Sequence, residues 1–248
     1  MEGKEISSLQ HPIIKYLAQL RTDKALRAEN RSVLVSGIKL IQEISQTHRI
    51  KKLLLGDGYT PAVPIQSQET FIVSDAILKK VTALQNPEPI AAEIEILEDS
   101  NLFEKKSLLI LDQISDPGNL GTLFRSALSL GWEGIFLTPG STDPFNEKAL
   151  RAARGATFKI PFKQGSYEEL YTLLKENQMD LFIADVDGDA VDTLTPPPTL
   201  ALVLGNEAHG ANQDLKASGQ AIKIPIQMMQ SLNVTAAGAI LMYLLKRP

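Results

Sequence analysis

The chain has 248 residues, is 44% hydrophobic and 22% charged, carries a net charge of −4, and contains no Cys and three His. This composition fits a globular protein with ample core. It excludes disulfides, thiolate metal sites and a Cys nucleophile. His11, His48 and His209 lack metal-ligand spacing, so no metal is expected. No signal-peptide core and no apolar run of bilayer length occurs, which predicts a soluble, cytoplasmic protein without a membrane partner. The charge is unevenly spread: residues 1–106 carry 14 Lys and Arg against 14 Asp and Glu, so residues 107–248 hold the whole acidic excess. In the first stretch the bases cluster at Lys15, Arg21, Lys24, Arg27 and Arg31, then at Arg49, Lys51 and Lys52. Such a patch can bind phosphates whatever the total charge, although a solvated helix face has the same composition.

In chain order, His11–Leu20 has helical spacing at Ile13, Ile14, Leu17 and Leu20. Ser32–Ser36 reads as a strand and Ile38–Ser45 as a helix. Leu53–Leu55 and Thr70–Val73 are short strands, Asp75–Leu84 a helix and Ala91–Leu97 a strand. Strands alternating with helices indicate a small α/β domain over residues 1–98, ended by the polar linker Glu98–Lys106. A second α/β series occupies residues 107–248. Leu108–Leu111 is a buried strand, Asp112–Asn119 a loop, and Leu120–Leu130 a helix closed by Gly131. Ile135–Thr138 is a strand, Asn146–Arg154 a helix, Phe158–Ile160 a strand, Tyr167–Asn177 a helix and Leu181–Ala184 a strand. The acidic run Asp185, Asp187, Asp189 and Asp192 reads as a solvated turn, since it lacks the spacing of a calcium loop. Leu200–Leu204 and Ala221–Ile224 are short buried strands, ended by Gly205-Asn206-Glu207 and by Pro225. Ser231-Leu232-Asn233 opens a terminal helix that is apolar on nearly every face.

Polar residues at strand ends and at the start of a buried helix are arranged like a ligand site. Turning and capping the chain would need the same residues. In the strand–loop–helix of residues 108–131, Asn119 precedes the first helical turn. Arg125 shares a polar face with Gly121, and Gly118 and Gly121 would let a ligand approach the backbone closely. The glycine spacing is not that of a dinucleotide fingerprint.

The stretches DPGNLGTLFRSA, LVLGNEAHG and IPIQMMQSLNVTAAGAILMY, in that order, resemble the three motifs of SpoU/TrmH-type RNA ribose 2′-O-methyltransferases of the SPOUT superfamily. NEKALRAARGATFKIPF is similar to the run between the first two. ISSLQHPIIKYLAQL with RSVLVSGIKLIQE resembles the small substrate-binding domain of many members. The resemblance spans nearly the whole chain. It implies a C-terminal parallel-sheet SPOUT domain with a trefoil knot, plus a smaller N-terminal α/β RNA-binding domain.

It also implies S-adenosyl-L-methionine as cofactor, held at Leu204, Gly205, Asn206, Ile224, Ile226, Ser231 and Leu232. Asn119, Arg125, Glu207, Ser231 and Asn233 match the family's functional positions. Structured RNA, rRNA or tRNA with rRNA favoured, would be the substrate, with Arg21, Lys24, Arg27 and Arg31 as its contacts, and members are typically homodimers. The chain departs from the pattern at Gln227-Met228-Met229-Gln230, which is one residue short and lacks a Gly. Arg125 could grip a phosphate and stabilise a deprotonated hydroxyl, or act as a base if strongly perturbed. A non-catalytic RNA-binding protein that keeps the fold is the alternative, and its expected mark is loss of the Arg, Asn or SLN residues, all of which are present.

Overall fold

The structure, a computed structural model, describes residues 3–97, 100–228 and 231–246. It divides into two compact units: residues 1–98 with 145–147, and residues 99–144 with 148–248. The polar segment after Ile96 thus falls at the boundary; its Glu98 and Asp99 lie outside the described residues.

The first unit comprises β1 (Lys4–Ile6), α1 (Pro12–Thr22), α2 (Lys24–Asn30), β2 (Ser32–Ser36), α3 (Ile38–Ile44), β3 (Ile50–Gly56), β4 (Glu69–Val73), α4 (Asp75–Thr82) and β5 (Ile90–Glu95). The sheet order is β1-β4-β3-β5-β2, and β5 runs antiparallel to both neighbours. Ile14, Leu17 and Leu20 are the apolar stripe of α1 and pack with Leu54, Phe71, Val73 and Ile77. Asp23 separates α1 from α2: its own N–H donates to Gln19 O, and its carboxylate caps α2 by accepting from Leu26 N at 3.1 Å. At the centre lies Glu93, 1% exposed, accepting from Tyr16 Oη, Ser32 Oγ and Lys52 Nζ, each at 2.7 Å. Burial pushes the Glu93 pKa up, but these three donors outweigh it and hold the carboxyl below its ordinary value. Burial, reinforced by the bond to Glu93, pushes the Tyr16 phenol up to about 12.

The second unit comprises β6 (Ser107–Leu111), α5 (Pro117–Ser129), β7 (Gly134–Leu137), α6 (Glu147–Ala153), β8 (Phe162–Gln164), α7 (Tyr167–Glu176), β9 (Asp180–Ala190), β10 (Leu200–Leu204), α8 (Gln213–Ser218), β11 (Gln220–Lys223) and α9 (Val234–Leu245). Its six strands form one parallel sheet in the order β11-β9-β10-β6-β7-β8. Every residue of the central strands β6 and β10 is buried, as expected of a parallel sheet covered on both faces. One layer of core joins Leu120, Leu123, Phe124, Leu204, Leu241 and Met242. The other joins Ile110, Phe136, Leu170, Ile183 and Leu215. No helix among the described residues is long and apolar enough to cross a membrane.

Three local readings of the sequence are corrected. Phe158–Ile160 is not a strand: Ala156–Phe158 is a 3-10 turn after Gly155 at φ 88°, and the strand begins beyond Pro161. The acidic run is a turn only at Asp192, in the 3-10 turn Val191–Thr193; Asp185, Asp187 and Asp189 lie in β9, which β11 pairs with (Ile222 with Asp189, Lys223 with Ala190) and extends to Ala190. Asp185 there is bonded to Lys216 at 2.7 Å, which holds its carboxyl below the usual range. Helix α5 starts earlier than Leu120, because Asp116 caps it and Pro117 fits its first position.

Candidate functional site

The site is built where β6 and β10 end side by side, tied by Asp112 N donating to Leu204 O at 2.9 Å. Beyond β6, Asp116 accepts from Asn119 N at 2.8 Å and from Lys148 Nζ at 2.7 Å. The Lys148 ammonium, with the backbone donors, holds the Asp116 carboxyl below its usual range. Asn119 therefore sits inside the first turn of α5 rather than before it. Its Nδ2 donates to Glu207 Oε1 at 2.7 Å, which joins the first and second motifs directly. That bond orients the amide: Nδ2 faces the carboxylate, which leaves Oδ1 as an acceptor on the other side.

Arg125 lies on the exposed face of α5, nearly two turns beyond Asn119, and its side chain makes no hydrogen bond among the described residues. Gly121, between them, serves a different purpose from the one its sequence suggests. A Cβ there would lie 2.1 Å from Ala149 O and 2.8 Å from Ala152 Cβ. It is helix α6, and not a ligand, that approaches this glycine.

The loop after β10 is compact. Asn206 and Gly210 exchange backbone bonds of 3.0 and 2.8 Å, Asn206 Nδ2 donates to Gln113 O at 2.9 Å, and Asn206 Oδ1 accepts from Ala208 N at 2.9 Å. Gly205 is pressed against Gly210 and Ala211, where a Cβ would come within 2.2 Å of Ala211 N. Ile224, just after β11, packs on the sheet core, and Ile226 is half-buried. Asn233 caps α9, accepting from Thr235 N at 2.9 Å, while Ser231 and Leu232 are exposed. Gly238 of α9 abuts Leu204 and Leu123, which sets the helix against the end of β10 and the middle of α5. The structure thus bonds Asn119 to Glu207, whereas Arg125, Ser231 and Asn233 make no bond to that pair among the described residues. Met229 and Gln230 of the shortened loop lie outside the described residues.

Of the basic candidates in the first unit, Lys24 and Arg31 are exposed. Arg21 is bonded to Glu147, which clusters with the same unit. Arg27 is not a surface phosphate contact. It is 4% exposed, and its Nη1 donates to Leu20 O and Arg21 O, both at 3.0 Å, closing the end of α1. Missed altogether in the sequence was Asp112, fully buried at the end of β6, which accepts from Thr138 Oγ1, Tyr167 Oη and Asn212 N, each at 2.7 Å. Burial, with the bond to Asp112, raises the Tyr167 pKa. A lone Asp ending an apolar run carries no pattern that would have marked it; the Asp116-Pro117 pair did carry one, as a helix start.

Polar motifs thus gather at the carboxyl ends of the parallel sheet's central strands, and the chain has a separate smaller unit as well. The SpoU rRNA Methylase family matches residues 106–243, more than half the chain, and the MRM3-like substrate binding domain matches residues 11–92. The protein belongs to the SpoU rRNA Methylase family. It is 29% identical over 248 residues to the 23S rRNA (guanosine(2553)-2′-O)-methyltransferase RlmP of Bacillus subtilis (strain 168), covering 98% of this chain and 99% of that one. It is 33% identical over 136 residues to the 23S rRNA (adenosine(1067)-2′-O)-methyltransferase of Streptomyces azureus, 52% of this chain and 50% of that protein. The AdoMet-bound rRNA methyltransferase from Sinorhizobium meliloti shares the fold with a TM-score of 0.89 and 26% identity, over 98% of this chain and 97% of that one.

Proposed function

We propose that the protein transfers the methyl group of S-adenosylmethionine to a ribose 2′-hydroxyl of ribosomal RNA, in the cytoplasm, as a homodimer. The observation that carries this reading is the Asn119–Glu207 bond beyond the ends of the two central strands, since it brings the first and second motifs together and leaves Asn119 Oδ1 as a neutral acceptor. The donor would lie along Leu204–Asn206, Ile224–Ile226 and Ser231–Leu232. The fit rests on the segments after β11 and before α9, which lie outside the strand ladder and offer apolar surface from half-buried Ile224 and exposed Leu232. When bound it supplies an electrophilic methyl group.

The chain's own residues do the rest. A ribose hydroxyl is a weak acid, so its proton must leave as the oxygen attacks, and the developing oxyanion needs positive charge nearby. Arg125 supplies that charge and can grip the neighbouring phosphate through its planar fork. Asn119 Oδ1 accepts from a nucleotide donor, while Glu207 keeps the amide from turning over. Ser231 and Asn233 contribute neutral hydrogen bonds at the start of α9. The first unit holds the RNA, with Lys24 and Arg31 facing its phosphates. Dimerisation is supported by α9: Leu241, Met242 and Leu245 face the core, but Ile240 and Tyr243 remain 39% and 59% exposed. The trefoil threading expected of the family belongs to the same reading.

The test is product analysis. Ribosomal RNA given methyl-labelled donor and digested to nucleosides should yield label on the ribose with wild-type enzyme and none with Arg125→Ala, whose donor affinity should stay near wild type. Label on a base, or full turnover by Arg125→Ala, would overturn the proposal.

A further inference from the structure

We propose that Asp112 is a positioning residue: with Gln113 it clamps both ends of the Gly205–Ala211 loop and so sets the affinity for the methyl donor. The inference rests on the methyltransferase reading above. At the loop's near end, Asn206 Nδ2 donates to Gln113 O at 2.9 Å; at its far end, Asn212 N donates to Asp112 Oδ2 at 2.7 Å. Two consecutive residues at the end of β6 therefore hold the two ends of the loop that carries Glu207. The clamp is itself braced. Asp112 Oδ1 accepts from Thr138 Oγ1 and Tyr167 Oη, Gln113 N donates to Thr138 Oγ1 at 3.1 Å, and Gln113 Nε2 donates to Tyr167 Oη at 3.0 Å.

Two features set this apart from ordinary packing. All the donors to Asp112 are neutral, and no cation pairs with it among the described residues. A buried carboxylate without a cation is costly to desolvate, and here hydrogen bonds alone offset that cost. What the carboxylate provides is two oxygens that accept from three separate segments at once. Second, Gln113 is held at φ 56°, a left-handed conformation that a non-glycine residue adopts only when its surroundings enforce it. That conformation aims its carbonyl at Asn206.

The test uses the full-length protein and two variants outside the donor-contacting segments. In Asp112→Asn, the amide oxygen still accepts from the Thr138 and Tyr167 hydroxyls, but the NH2 group faces Asn212 N–H, donor against donor, and the far end is released. In Thr138→Val, the brace on Gln113 is lost. Calorimetry should show the S-adenosylmethionine Kd raised about tenfold by Asp112→Asn, equivalent to about 1.4 kcal/mol, and raised less by Thr138→Val. RNA affinity in filter binding, carried mainly by the first unit, should fall by much less than donor affinity for both. A folded Asp112→Asn protein with wild-type donor affinity would overturn the clamp, as would equal losses of donor and RNA affinity, which mark a general defect. If Asp112→Asn does not fold, an unchanged donor Kd in Thr138→Val overturns it instead. Wild-type protein that binds no donor would overturn the methyltransferase reading first, and the clamp with it.

Discussion

Replacing Gly121 by Ala tests the close packing of α6 against α5, the helix that carries Asn119 and Arg125. The added Cβ would sit 2.1 Å from Ala149 O, 2.9 Å from Ala149 C and 2.8 Å from Ala152 Cβ. Two of these are backbone atoms and the third is a methyl fixed to the backbone, so no rotamer change relieves the contact. Restoring a separation of about 3.5 Å requires α5 and α6 to part by about 1.4 Å. Overpacking of this kind costs about 1–3 kcal/mol, and a rigid neighbour puts the cost near the top of that range. Alanine's better helix propensity returns about 1 kcal/mol. The clash wins, leaving a net loss of about 2 kcal/mol, which for a unit of this size lowers the melting temperature by about 4–8 °C. Differential scanning calorimetry on the full chain would read this in the transition of the second unit. Gly118→Ala is the internal comparison: its Cβ would meet the flexible end of Lys148 at 3.2 Å and Asp116 Oδ1 at 2.9 Å, and should cost much less. A Gly121→Ala protein that melts at or above the wild-type temperature would refute the reasoning, since propensity alone would then have decided the outcome.

Neutralising Lys24 and Arg31 together should weaken RNA binding and flatten its salt dependence by about one unit of log–log slope per lost phosphate contact; an unchanged slope in filter binding would mean that both are only solvated. Glu93→Ala leaves Tyr16, Ser32 and Lys52 without their acceptor and should destabilise the first unit by about 3 kcal/mol, since Lys52 stays partly in water. Because the folded Glu93 pKa lies below the ordinary 4.5, its contribution is complete above that pH and is lost as pH falls through the lower folded value; acid denaturation should show this component in the wild type and lack it in Glu93→Gln. Charging the exposed side of α9 with Tyr243→Glu should shift sedimentation from dimer to monomer, and an unchanged profile would place the interface elsewhere.

The elements that announced themselves did so through periodicity. β10 is a run of five buried apolar residues, and α1 repeats its apolar positions every three or four residues, so both were legible. The short α2 and α8 were not, and with α2 unseen there was no way to assign Arg27 an inward face; its charge alone read as surface. β8 was displaced because the alternation around Ile160 mimics a strand, while Gly155 and Pro161 impose a turn first. The extension of β9 into an acidic run depends on pairing with β11, some thirty residues later, which no local pattern records. In the site, Asn119 and Glu207 were legible as residues within motifs. Their mutual bond, and the brace behind it at Asp112, exist only once β6 and β10 lie side by side.

The strand order also fixes when the protein can become itself during synthesis. The five-stranded sheet closes within a continuous stretch ending at Glu95, so its pairings are available while translation is still under way. The six-stranded sheet is different. At its centre Ser107 pairs with Leu200 and Leu111 with Leu204, so β6 waits until Leu200–Leu204 has been made before that neighbour exists. Parallel, long-range pairings of this kind fold slowly, because a large loop must close before any contact rewards it. The nascent chain therefore carries a completed N-terminal sheet ahead of an unfinished one whose apolar strands are still without partners, and this is the interval in which it is most exposed to misassembly.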